Sequence, residues 1–119
     1  MMAIAERNRR IKKVLGKFFG RENIRVKGGR GTAYGWVEIA LRIKIPKEID
    51  VVLEGSSILT EEYRKIRDKV ISKIYELLRE ADLMKEIGVY YDDFNIKRSE
   101  MNITIIPSKE FGYDVKAIL

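Results

Sequence analysis

Between Trp36 and Ile45 the chain alternates with a period of two. Val37, Ile39, Leu41, Ile43 and Ile45 fall on one side, and Trp36, Glu38, Ala40, Arg42 and Lys44 on the other. Successive strand side chains point to opposite faces, so this run predicts a strand with one dry and one wet face. Residues 24–27 repeat the pattern in miniature, with Ile24 and Val26 inward and Arg25 and Lys27 outward. Four glycines, Gly28, Gly29, Gly31 and Gly35, lie between the two runs. Such residues suit a tight or bulged connection, and the pair is expected to form a hairpin.

Helical spacing governs two other stretches. Over residues 3–19 an apolar stripe of Ile4, Ile11, Leu15 and Phe18, flanked by Val14 and Phe19, stands opposite Arg9, Lys13 and Lys17. Gly20 is the expected stop. Thr60 is an N-cap type, and Glu61 and Glu62 follow it where the helix dipole favours negative charge. A longer helix is predicted from there to about Ile87, closed by Gly88. Its stripe runs through Tyr63, Ile66, Val70, Ile74, Leu77, Ala81 and Met84, and is widened by Ile71 and Leu78. The same spacing fits a coiled-coil seam between subunits, but a stripe this wide suits packing on a sheet better.

Pro46 should end the first long strand, since it cannot donate to a ladder. Ile49–Leu53 is a candidate short strand, followed by a loop over Glu54–Leu59. Past the long helix, Phe94 and Ile96 alternate with Asn95 and Lys97, then Met101, Ile103 and Ile105 with Asn102 and Thr104. With Arg98–Glu100 between them, these runs predict a second hairpin ended by Pro107. The tail from Phe111 to Leu119 is apolar enough to dock on the body. The order is helix, hairpin, short strand, helix, hairpin. It predicts a single α+β domain over residues 1–119, arranged as a two-layer sandwich. The sheet is expected to be mostly antiparallel, with both helices on its dry face and the other face open.

Composition narrows the chemistry. The 119 residues include no cysteine and no histidine, which removes disulfides, thiolate metal sites, the usual zinc hydrolases and histidine-based triads. Glutamine is also absent while Lys, Arg, Glu and Ile are abundant, a balance associated with thermophiles. No run approaches a membrane span and the N-terminus lacks the apolar core of a secretory signal, so a cytoplasmic protein without a membrane partner is expected. Net charge is +6, but it is unevenly spread: residues 1–30 hold ten Lys and Arg against two Glu, and the remainder fourteen against sixteen acids. Three cations on one helix face repel each other, and an anionic partner would relieve that repulsion.

The glycine loop fits neither of two phosphate-binding motifs. A P-loop needs Lys followed by Ser or Thr at the start of a helix, but these glycines lead into a strand. A dinucleotide fingerprint needs G-x-G-x-x-G, and Gly29, Gly31 and Gly35 leave one residue too many before the last glycine. A looser nest of backbone amides near Arg30 could still hold a phosphate. Among carboxylates, Asp50 and Glu54 lie near a strand, and the length and basic N-terminus resemble small archaeal junction resolvases. The Glu-x-Lys of such nucleases is missing. Asp92 and Asp93 could chelate magnesium, though such a pair is more often turn chemistry.

The string GGRGTAYGWVEI, residues 28–39, resembles a glycine-rich hairpin of small proteins from phages and other mobile elements, of the large polyvalent protein-associated domain kind. That resemblance implies a viral or plasmid origin and assigns no functional residue. What remains is a surface. Arg9, Lys13, Lys17, Arg25, Lys27, Arg30, Arg42 and Lys44 supply cations, and Tyr34 and Trp36 supply rings to stack on bases. The expectation is a non-enzymatic nucleic-acid-binding protein that needs no cofactor and no metal. The alternative is an interaction module or homodimer that uses the open sheet face around Trp36, and a third option is a magnesium-dependent nuclease.

Overall fold

The computed structural model describes residues 2–28 and 35–119. It shows a small compact α+β protein with two helices and mixed sheets. The helices are α1 (Ile4–Phe19) and α2 (Glu61–Glu80); the strands are β1 (Ile24–Lys27), β2 (Val37–Lys44), β3 (Val89–Tyr91), β4 (Lys97–Ser99), β5 (Met101–Ser108) and β6 (Tyr113–Asp114). No helix among the described residues is long and apolar enough to cross a membrane.

β2 is the centre. Val37, Ile39, Leu41 and Ile43 are fully buried while Arg42 and Lys44 are exposed, as the alternation requires. Burying an aliphatic side chain of this size contributes about 1.5–3 kcal/mol, so these four residues anchor the core. β1 lies antiparallel on β2, pairing Ile24 with Leu41 and Val26 with Ile39. Ile11, Leu15 and Phe19 of α1 meet Ile66, Val70, Ile74 and Leu78 of α2 in one cluster with the inward side of β2. The tail docks as expected: β6 pairs with the end of β2, and Val115 is fully buried.

The second hairpin is not where the alternation placed it, and the main sheet is not mostly antiparallel. Met101–Ser108 pairs with β2 in parallel over eight residues, from Val37 opposite Met101 to Lys44 opposite Ser108. With α2 as the crossover, β2 and β5 form a βαβ unit. β5 has enough alternating apolar residues to match the whole length of β2, whereas a hairpin with Phe94 and Ile96 would leave β2 unpaired on that side. Phe94 and Ile96 instead sit at the turn of a separate two-stranded hairpin of β3 and β4, which pairs Tyr90 with Arg98 and Tyr91 with Lys97. The Ile49–Leu53 segment yields only one bridge, Val52 to Leu59.

The long helix also ends earlier than its periodicity suggested, at Glu80 rather than near Ile87. Leu83 N–H reaches back to the Leu78 carbonyl at 2.9 Å and Asp82 N–H to Arg79 at 3.0 Å, with Asp82 at φ 57°. This is the Schellman arrangement, closed by an aspartate in the left-handed conformation where glycine is usual. Leu78 and Leu83 are both buried, which supplies the apolar contact that accompanies it. Of the stripe residues beyond the helix, Ala81 is exposed, whereas Met84 packs on the core from a 3₁₀ turn at Met84–Glu86. At the other end, Thr60 caps as expected, its hydroxyl accepting from Tyr63 N–H at 3.1 Å.

Candidate nucleic-acid interface

Helix α1 points one face at the core and the other at solvent. Arg9, Lys12, Lys13, Lys17 and Arg21 surround a shallow basin of about 480 Å³ on the solvent side, with no acidic residue in its lining. Among the described residues none of these five has an ion-pair partner; the nearest pair on the helix, Arg10 with Glu6 at 2.8 Å, uses a different cation. The floor of the basin is Gly16. A Cβ there would lie 2.8 Å from Arg21 Cγ and 3.3 Å from its Cα. Glycine inside a helix costs about 1 kcal/mol relative to alanine; here it lets Arg21 fold back over the helix and join the cluster.

A second basin, of about 650 Å³, lies on the wet face of the sheet. Arg25, Lys27 and Arg42 line it, together with Glu22 and Glu38. The acids are partly committed: Lys27 stands 3.7 Å from Glu38, an exposed pair that contributes well under 1 kcal/mol. Arg42 is steadied by a 3.2 Å bond from Nη2 to the Glu22 carbonyl. Lys12 lines both basins. Because α1 lies along β1, a four-residue edge strand, Lys12 can extend past that edge toward the wet face. Two sets of cations on different faces of the molecule therefore share one side chain.

The sequence-based residues are thus sorted. Arg9, Lys13 and Lys17 come together on α1, and Arg25, Lys27 and Arg42 come together on the sheet. Lys44 joins neither group; it sits at the far end of β2 in another depression with Lys47, Lys109 and Lys116. Trp36 lines neither basin. The residue is 38 % exposed, its ring lies against Gly28, and its carbonyl accepts from Arg7 Nη2 at 3.2 Å. Arg30 and Tyr34, and the proposed phosphate nest, lie outside the described residues. Lys12, Arg21 and Gly16 were missed. The four-residue spacing that drew attention to Arg9, Lys13 and Lys17 passes over Lys12, and nothing local says that Arg21 returns to the helix.

One N-terminal cation must be subtracted. Arg7 is fully buried and donates to the carbonyls of Trp36 and Glu86 and, through Nε, to Asn8 at 3.0 Å. Its guanidinium ties α1 to the start of β2 and to the 3₁₀ turn at Met84–Glu86, a structural use of charge.

Of the candidate carboxylates, Asp92 is committed to a turn. Asp92 accepts from the Phe94 and Ile96 amides at 2.9 and 3.0 Å and from Arg98 Nε at 3.0 Å. These bonds, the Ile96 amide first among the causes, hold its carboxyl below the usual aspartate range. It closes a turn. No group of three acidic side chains close enough to hold a metal ion occurs among the described residues. No family model, curated protein or solved structure matches this chain.

Proposed function

We propose that this protein binds nucleic acid through phosphate contacts, without catalysing a reaction on it. The observation that carries the reading is the basin on α1: five cations, no acid, and a helix glycine that admits the fifth. Cations held together without counter-charges raise each other's energy, and a polyanion that replaces several small counterions at once removes that cost with a gain in entropy. Lys12 extends the contact to Arg25, Lys27 and Arg42 on the sheet face.

Aromatic side chains are absent from both linings, so the grip is on the sugar-phosphate backbone and sequence preference should be weak. Fluorescence anisotropy with labelled single-stranded and duplex DNA and RNA tests this. Binding should weaken steeply with salt, with a slope of log K against log salt of about −4 to −6 if five to seven phosphates are engaged. Absence of binding to every probe at low salt refutes the proposal. The second reading is an interaction module that uses the face around Trp36, supported by the exposure of that indole. Under it, added nucleic acid leaves Trp36 fluorescence and the hydrodynamic radius unchanged.

A further inference from the structure

The two edges of the main sheet are treated differently. The β1 edge is short, carries Arg25 and Lys27, and is continued by β6. Charged side chains and short length are how natural sheets discourage unwanted strand pairing. The β5 edge has neither device. Its eight residues, MNITIIPS, contain no charge in a chain that is 35 % charged. Only Pro107 interrupts it, near its end.

The backbone on that edge is open as well. In a parallel pair the N–H and C=O of alternate residues point to the same neighbour. Glu100 and Ser108 direct their carbonyls to Val37 and Ile45 of the β2 strand, and Glu100 N–H goes to Gly88 on the same side. The even-numbered residues of β5 therefore face β2, and Met101, Ile103 and Ile105 direct their backbone groups away from it. Among the described residues no strand pairs on that side.

We infer that this edge pairs with the same edge of a second copy, antiparallel about a two-fold axis at Ile103. In that register Met101 faces Ile105 of the other copy, and about six backbone hydrogen bonds form between Met101, Ile103, Ile105 and their counterparts. Pro107, lacking an N–H, ends the ladder. On the wet face Asn102 stands opposite Thr104 of the other copy, both exposed and uncharged, so the strand is complementary to itself. Charge also permits the pairing. The wet-face basin reaches β5 at Thr104 and Ile106, but its cations stand on α1, β1 and β2, and β5 itself carries no charge to oppose its copy. An extended peptide from another protein would use the same backbone groups, and it is the outcome that a monomer would leave open to that partner and closed to this inference.

The test is sedimentation of the full chain over a concentration series, with the double variant Asn102→Lys and Thr104→Lys. Wild type should be a reversible dimer. The variant places like charges opposite each other on both sides of the axis and should weaken dimerisation on the order of tenfold or more, with unchanged circular dichroism. Amide exchange on the wild type reads the same contact without mutation: the Ile103 and Ile105 amides should slow as concentration rises. Trp36→Lys should leave the dimer intact. A wild-type monomer at sub-millimolar concentration, exchange at Ile103 independent of concentration, or a dimer lost with Trp36→Lys and retained with the double variant overturns the inference. Because Thr104 also lines the wet-face basin, nucleic-acid binding is measured separately on the wild type and can fail or succeed independently.

Discussion

Lys12→Ala is the most direct probe of the shared cation. The side chain belongs to the linings of both basins and has no ion-pair partner among the described residues, so its removal withdraws one positive charge from each without leaving a carboxylate unpaired. Alanine favours a helix at least as well as lysine, and the fold should be unaffected. One phosphate contact releases about 0.9 of a counterion, which at 0.1 M salt corresponds to about 1.2 kcal/mol, or roughly eightfold in affinity, and to a change of about 0.9 in the salt slope. Arg10→Ala is the control. It removes the same charge from the same helix, but its guanidinium is already paired with Glu6 and lines neither basin. Anisotropy titrations at three or more salt concentrations give both quantities. If Lys12→Ala leaves the slope unchanged, or if Arg10→Ala changes it as much, the basins are not the binding surface.

Gly16→Ala should improve helix propensity by about 1 kcal/mol yet force Arg21 aside, given the 2.8 Å approach to Cγ. Thermal melting near wild type with weaker nucleic-acid binding is the expected pattern, and binding equal to wild type would show that Arg21 is not part of the site. Asp82→Gly should raise stability by roughly 0.5–1 kcal/mol by relieving the left-handed aspartate, less whatever its exposed pair with Lys85 contributes; a lower melting temperature would refute the assignment of the helix end. Thr60→Ala should cost about 1 kcal/mol through loss of the cap. The Asp92 carboxyl is held below its ordinary value, so its stabilisation of the β3–β4 turn is complete above the unfolded pKa, about 4, and is lost as pH falls through the lower folded value. Protection of the Phe94 and Ile96 amides, taken relative to their intrinsic exchange rates, should fall on acidification in that window, and Asp92→Asn should abolish that pH dependence of protection.

Much of the architecture could be read from local pattern. The period-two run through β2 named its buried residues correctly, and the 3.6 period placed both helices and much of their core stripes, although Ile4 stays outside the core, Phe19 rather than Phe18 is the buried ring, and α2 stops before Ala81 and Met84. The cap at Thr60 and the stop at Gly20 are local chemistry, written in residues within a few positions of the effect. The concentration of positive charge in the first thirty residues is likewise a fact of composition.

Partnership was not legible. Alternation says that Met101, Ile103 and Ile105 lie on one face of a strand but not which strand lies beside it. The choice of β2, sixty-odd residues away in sequence, over a neighbouring hairpin partner is made by total burial and by the α2 crossover. Arg7 reads as one more surface cation until α1 packs and three acceptors close around it. Lys12 becomes the link between two basins only because α1 runs beside a short edge strand. A side chain's periodicity is settled by its own segment, whereas its neighbours across space depend on competition among all segments for the same core, and that competition is resolved only when the chain folds.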